Sequence, residues 1–262
     1  MANYEFESKR SENSDTSKIK LSGFNNLTKI LSFNLYDFCL TIGEEQRQEY
    51  VNYIHERYNA DRLTKISEEI CKIIEANVLG VSKQDYDPSG ASSLLLMSDI
   101  KGGGSQVSMH LDKSHITTHT YPDTADKLGV CSFRVDIDIA TCGEILPLNA
   151  INHLFKAFEC DVVVMDYVVR GYTRLANGQK IYNDHAVHSI KDFIDPKILA
   201  DYKICADINL PNDNIWQTKL LIRDDFGAER YLLDPKDKDR PEVAERMGHL
   251  YKEMKEIFHL VD

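Results

Sequence analysis

Three residues of this sequence have side chains whose types and placement could carry covalent chemistry: Ser114, His119 and Cys142. Ser114 follows Lys113 in the run Leu111-Asp-Lys-Ser-His-Ile-Thr-Thr-His-Thr-Tyr-Pro-Asp123. A serine hydroxyl can attack the carbonyl of the residue before it, and β-elimination of the resulting ester leaves a pyruvoyl group on the new amino terminus. Imidazole titrates near neutral pH, so His119 is suited to removing the α-proton that such an elimination requires. A thiol, with an ordinary pKa near ~8.5, can hand a proton to a carbanion, and Cys142 lies in Thr141-Cys-Gly143, where a turn can present it to a cavity. Each residue also has a plainer reading: Ser114 as a turn residue, His119 as a satisfied strand histidine, Cys142 as core filler. Metal ligation by His115 and His119 is excluded by geometry. On a strand they stand about 13 Å apart at ~3.3 Å per residue, too far for one ion, and no metal ligands are assigned.

These side chains need a scaffold, and the hydrophobic pattern predicts one. Ile30 to Phe38 reads as a strand, Glu44 to Tyr58 and Ala60 to Ala76 as helices, the second with Leu63, Ile66, Ile70, Ile73 and Ile74 on one face. Ser92 to Ser98 reads as a buried strand before a loop at Gly102-Gly-Gly104, and the stretch Asp99 to Leu111 should hold the Lys113–Ser114 bond in an exposed turn. His115 to Tyr121 is β-branched and stops at Pro122, a further strand. Phe133 to Ile139 alternates, with Phe133, Val135, Ile137 and Ile139 on the core side and Arg134, Asp136 and Asp138 on the solvated side. Pro147 should open a helix running to about Phe158, followed by a strand at Val162 to Val169. The remainder reads as a polar helical region, a strand at Trp216 to Arg223 and a helix from about Pro241 to Leu260. This order predicts an α+β fold, a two-layer α/β sandwich whose helices cover one face of a largely antiparallel sheet. If His115 to Tyr121 is extended, His119 lies roughly 16 Å from Ser114 of its own chain, too far for proton transfer. A neighbouring protomer would have to supply it.

Composition narrows the function classes. The formal charge of −11 would repel a phosphate backbone and favours no nucleic acid partner, while a positively charged sulfonium or amine substrate suits it better. No run approaches the ~20 apolar residues that span a bilayer, and no signal peptide is evident, so a cytoplasmic protein without a membrane partner is expected. The six cysteines include no Cys-x-x-Cys pair and are expected to be reduced thiols. Residues 1–20 read as a disordered polar leader, and 21–262 as a single domain.

Several segments together carry a resemblance: Leu21-Ser-Gly-Phe-Asn-Asn-Leu-Thr-Lys29, Arg62-Leu-Thr64, Gln84-Asp-Tyr-Asp-Pro-Ser-Gly-Ala-Ser92, the Asp112-Lys-Ser-His-Ile116 run, Phe133-Arg134, Thr141-Cys-Gly143, Arg170-Gly-Tyr-Thr-Arg174 and Lys252-Glu-Met-Lys-Glu-Ile257. The sequence resembles bacterial S-adenosylmethionine decarboxylase proenzymes of the longer type. That resemblance implies an S-adenosylmethionine decarboxylase-like fold and autocatalytic cleavage between Lys113 and Ser114 into a β chain (1–113) and an α chain (114–262). It implies a pyruvoyl group derived from Ser114 that forms a Schiff base with the substrate, His119 as proton acceptor in processing, Cys142 as proton donor in decarboxylation, and Ser92 in support of processing. Tyr86 falls where the family stacks an aromatic on adenine. Asp123 falls where a carboxylate, usually Glu, binds the ribose hydroxyls. The implied activity gives decarboxylated S-adenosylmethionine, the aminopropyl donor for spermidine biosynthesis, and carbon dioxide. Magnesium activation and a homo-oligomer of cleaved pairs, a dimeric unit or a tetramer with its site across the protomer interface, are implied too. Two other readings stand beside it: a pyruvoyl-dependent arginine or ornithine decarboxylase on the same scaffold, since Schiff-base chemistry uses only the α-amine and carboxylate, and a non-catalytic partner subunit of an active homologue.

Overall fold

A computed structural model describes residues 24–87, 89–99, 114–143, 145–175, 177–183, 185–223 and 227–258. The expected leader, the exposed processing loop and Lys113 lie outside the described residues. The strands are β1 (Phe24–Asn25), β2 (Thr28–Leu40), β3 (Ala76–Asp85), β4 (Ala91–Asp99), β5 (Ser114–Asp123), β6 (Val130–Cys142), β7 (Val162–Arg170), β8 (Thr173–Arg174), β9 (Lys180–Ile181), β10 (Tyr202–Leu210) and β11 (Ile215–Ile222). The helices are α1 (Glu44–Arg57), α2 (Ala60–Ile73), α3 (Ile151–Ala157), α4 (Pro196–Leu199) and α5 (Pro241–Glu256). Eight strands form one sheet in the order β10-β11-β7-β2-β6-β5-β4-β3, each neighbouring pair antiparallel. This is the α+β, two-layer arrangement that the sequence pattern predicts.

The layering follows from alternation. On β2, Lys29, Leu31, Phe33 and Leu35 are buried, as is Leu27 just before it, while Ile30, Ser32 and Asn34 between them are only partly covered. β6 alternates in the same way, and its Phe133 ring stacks 4.8 Å from Tyr58, which also stacks 5.3 Å from Phe158. α2 turns Leu63, Ile66 and Ile70 onto β3 and β4, with Asn59 capping its first turn by accepting from the Arg62 amide. Polar contacts also tie α2 to this end of the sheet: Thr64 and Ser93 hydroxyls lie 2.9 Å apart, and the Cys71 thiol lies 3.9 Å from the Met97 sulfur. Because Met97 pairs with Ser114, α2 is the lid over the start of β5.

The structure corrects the expected elements in four places. The second helix stops at Ile73 instead of Ala76, since Glu75 takes a positive φ of 58° and turns the chain into β3, a strand the sequence did not announce. The helix expected from Pro147 begins as a 3-10 turn over Pro147–Ala150 before α3. The polar helical region is replaced in part by β10, an edge strand paired with β11, in which Tyr202, Ile204, Ala206, Ile208 and Leu210 alternate with Lys203, Asp207 and Asn209 as a strand should. Ser114 is 4% exposed at the first position of β5, so its side of the expected cleavage point is buried. None of the described helices is long and apolar enough to cross a membrane.

Two carboxylates meet inside the protein at the opposite end of β2. Asp161 accepts from the Phe38 amide at 2.8 Å and pairs with Arg230 at 2.9 Å. Asp37 is partly exposed as a residue, but its carboxyl end is desolvated, and burial together with the charges of Asp161 and Glu159 holds its pKa well above the usual carboxylate range. Asp161, raised by burial but opposed by Arg230, takes the ionised role, and Asp37 keeps the proton. A group whose folded pKa is raised stabilises the fold below its unfolded pKa and loses that contribution as pH climbs through the folded value. Melting temperature should therefore fall as pH rises above the ordinary carboxylate range, and Asp37→Asn should flatten that decline. At the alkaline end the variant should melt a few degrees above the parent, the shift about 1 kcal/mol gives in a chain of this size. Thermal melts from pH 5 to 9 check it, and parallel curves for the two proteins would refute it.

Candidate active site

The register sorts the candidate residues into two groups. Across the open face of the sheet, Gln84 pairs with Ser92, Ser92 with His119, His119 with Asp136, and Asp136 with Asn34. Directly opposed residues place their β-carbons about 5 Å apart, so Ser92, His119 and Asp136 stand side by side. The Tyr86 hydroxyl lies 2.9 Å from the Ser92 hydroxyl, which adds the tyrosine to this group. Its ring is otherwise 47% exposed, free to meet a flat partner. The Tyr86 turn is held by its amide, which donates to the Gly90 carbonyl at 2.9 Å. Gly90 has a φ of +100°, and a β-carbon there would come 3.1 Å from the Thr120 carbonyl oxygen, so glycine suits this close approach to β5.

Asp136 belongs to the open face but is not merely solvated. It takes two hydrogen bonds from Arg134, whose guanidinium lies 5.3 Å from the Tyr121 ring centre and 5.9 Å from that of Tyr36. Asp138 accepts from the Ser32 hydroxyl at 2.5 Å. Asp123 ends β5 on the side of His119, exposed, with one carboxylate oxygen accepting from the Ala125 amide at 2.9 Å. That bond caps its own turn and leaves the second oxygen for a ligand.

The other group sits at the far end of β5 and β6. With His115 opposite Ala140, Ser114 stands level with Thr141 in the antiparallel register. The Cys142 amide donates to Ser114 Oγ at 3.2 Å, which ties the hydroxyl to the Thr-Cys-Gly turn. Cys142 is 7% exposed, and the chain then bends at Gly143, whose φ of 67° is in the left-handed region. Thr141 Oγ1 donates to the Ile145 carbonyl at 3.2 Å and closes the turn. All six cysteines are free. Burial pushes the thiols of Cys39, Cys131, Cys160 and Cys205 up and that of Cys71 to about 12, which makes these five poor proton donors.

Ser114 and His119 are brought together by nothing in the one chain. Five positions along an extended strand separate them by roughly 16 Å, and an odd separation points them to opposite faces. The alternation agrees: Ser114, Ile116, Thr118 and Thr120 are buried, whereas His119 and Tyr121 are exposed. Among the described residues no three His, Cys, Asp or Glu side chains converge to hold a metal ion, so no ligand set for magnesium can be named.

Two residues were missed by sequence reasoning. Asp136 was placed with the solvated residues, although pairing with β5 sets it beside His119. Lys29 is fully buried and donates to the Gly143 carbonyl at 2.6 Å. Its signal was present: a lysine at an inward position of an alternating strand, between Leu27 and Leu31.

The family model described as S-adenosylmethionine decarboxylase matches residues 53–171. An S-adenosylmethionine decarboxylase proenzyme of Stenotrophomonas maltophilia (strain R551-3) is 47% identical over 255 residues, 92% of this chain and 96% of that protein. One of Xylella fastidiosa (strain M12) is 46% identical over the same length, with the same shares covered. A crystal structure of the adenosylmethionine decarboxylase from Aquifex aeolicus superposes with a TM-score of 0.33 at 13% identity, covering 62% of this chain and 98% of that one.

Proposed function

This chain belongs to the S-adenosylmethionine decarboxylase family, and on that premise we propose that it is a self-processing, pyruvoyl-dependent enzyme that converts S-adenosylmethionine to its decarboxylated form and carbon dioxide. The observation that carries the proposal is the hydrogen bond from the Cys142 amide to Ser114 Oγ, which sets a serine able to cleave its own chain next to the backbone of a cysteine whose thiol could donate a proton.

Processing begins when Ser114 Oγ attacks the Lys113 carbonyl carbon. The C–N bond breaks as the C–O ester bond forms, and the Ser114 nitrogen leaves as a free amine. The Cys142 amide, donating to Oγ, fixes its rotamer for that attack. A histidine then removes the Ser114 α-proton, the Cβ–O bond breaks, and Lys113 departs as the carboxylate end of the β chain. Water hydrolyses the remaining imine, releasing ammonia. Ser92 supports this step by orienting the imidazole, a role consistent with its pairing beside His119 and its bond to Tyr86. The pyruvoyl group, once formed, supplies the electron sink that decarboxylation needs. The cysteine turn faces the place of its formation, and Cys142 returns a proton to the substrate α-carbon. Tyr86 offers its exposed ring to adenine, and the uncapped oxygen of Asp123 is available to the ribose. The active form is a cytoplasmic homo-oligomer of cleaved pairs, at least dimeric, and its product serves as aminopropyl donor for spermidine synthesis.

The test is release of labelled carbon dioxide from carboxyl-labelled S-adenosylmethionine, arginine and ornithine, each offered to purified protein. Only S-adenosylmethionine should be consumed, and consumption of arginine or ornithine instead would refute the substrate assignment. Cys142→Ala should still be cut but should decarboxylate at least ~100-fold more slowly, the loss of one acid–base group. Full activity in that variant would remove the thiol from the mechanism.

A further inference from the structure

Lys29 poses a problem that the proposed chemistry leaves unsolved. It lies on β2, the strand next to β6, at a position with no exposure, on the helix-covered side of the sheet. It pairs with Thr141 on one side and Val169 on the other. Met97, Ser114, Thr141 and Lys29 therefore follow one another across one row of the sheet, on the face that Ser114 shares. Thr141 Oγ1 also lies 3.4 Å from the Lys29 carbonyl oxygen, so this backbone is held against the turn as well.

Burying an ammonium is costly, and an apolar side chain of similar volume in such a place commonly leaves stability unchanged or higher. Packing alone thus gives no reason for a lysine between Leu27 and Leu31. Its bond to the Cys142–Gly143 turn gives one. Lys29 Nζ donates to the Gly143 carbonyl at 2.6 Å, a charge-assisted bond of the strong class. The residue before Gly143 is Cys142, whose amide donates to Ser114 Oγ. A continuous path runs from the ammonium to the Gly143 carbonyl and back through the backbone of Gly143 and Cys142 to the amide that aims the serine.

We infer that Lys29 is a positioning residue for self-cleavage: its ammonium fixes the Gly143 peptide and so keeps the Cys142 amide directed at Ser114 Oγ. It touches neither the scissile bond nor the substrate in this role. The inference rests on the self-cleavage proposed above, and wild-type protein separates the two, since wild-type chain that stays whole would defeat cleavage itself.

The experiment follows cleavage of freshly made chain by intact-mass spectrometry, with thermal melts in parallel. Lys29→Met keeps the length and removes the donor. It should cleave at least ~10-fold more slowly than wild type while melting at the same temperature or above. Lys29→Arg, which restores a cation, should recover part of the rate. Lys29→Ala should be accelerated in a saturable way by added ethylammonium or propylammonium, which a packing role would not produce. Cleavage of Lys29→Met at the wild-type rate overturns the inference. So does slow cleavage that neither Lys29→Arg nor alkylammonium improves. Loss of the folded state in all three variants overturns it too, since the lysine would then be a structural element.

Discussion

Ser114→Ala leaves the chain whole and without decarboxylase activity. No other hydroxyl can take the place of Oγ, because the attack is on the carbonyl joined to that residue's own nitrogen and the pyruvoyl carbons are those of Ser114. The effect is therefore all or none. Denaturing mass spectrometry of the parent should show fragments spanning 1–113 and 114–262, the second lacking a free α-amine, whereas the variant gives a single chain of 262 residues. Folding should survive the change. What the substitution removes is the bond from the Cys142 amide, worth about 1 kcal/mol, and a small side chain already buried at the sheet end. A melt within a few degrees of the parent would assign the loss to chemistry. An active protein found only as intact chain would overturn the cleavage assignment.

Much of this arrangement is legible in the sequence because alternation by itself gives each strand its two faces. The inward series Phe133, Val135, Ile137 and Ile139 gives the face of β6, and the β-branched run at His115 to Tyr121 gives β5. The extended reading of that run was enough to separate Ser114 from His119. Pairing between strands distant in sequence was not legible, since the partner of a residue depends on registers that no local pattern sets. That is why Asp136 escaped notice beside His119, and why Lys29, 114 residues from Gly143, was read as part of a resemblance and not as part of a site. The helix expected through Ala76 failed for a local reason: the left-handed conformation of Glu75 ends it and leaves no mark in hydrophobic periodicity. The edge strand β10 did carry a signal, since Tyr202, Ile204, Ala206, Ile208 and Leu210 take every second position, but its burial does not follow that pattern and the polar residues between them read as a helical surface.

Processing should pass between protomers. Each chain carries Ser114 and Cys142 at one end of β5 and β6, Ser114 on the covered side, with Ser92, His119 and Tyr86 farther along and on the open side. Removal of the Ser114 α-proton needs a base within about 3 Å, directly or through one water. A separation of roughly 16 Å along a paired strand cannot close without tearing β5 from both β4 and β6. A second copy turned to face the first would supply the histidine without unpairing β5, and a two-fold axis would complete both sites at once. Co-expressed, differently tagged Ser114→Ala and His119→Ala chains test this directly. Each alone should remain uncut. In the purified heterodimer one interface pairs an intact Ser114 with an intact His119, and the chain carrying His119→Ala should be cleaved while its Ser114→Ala partner stays whole. The expected yield is close to complete for the one chain and nil for the other. Failure of both chains to cleave in a verified heterodimer would place the two residues within one protomer, and β5 would then have to come apart before the chain is cut.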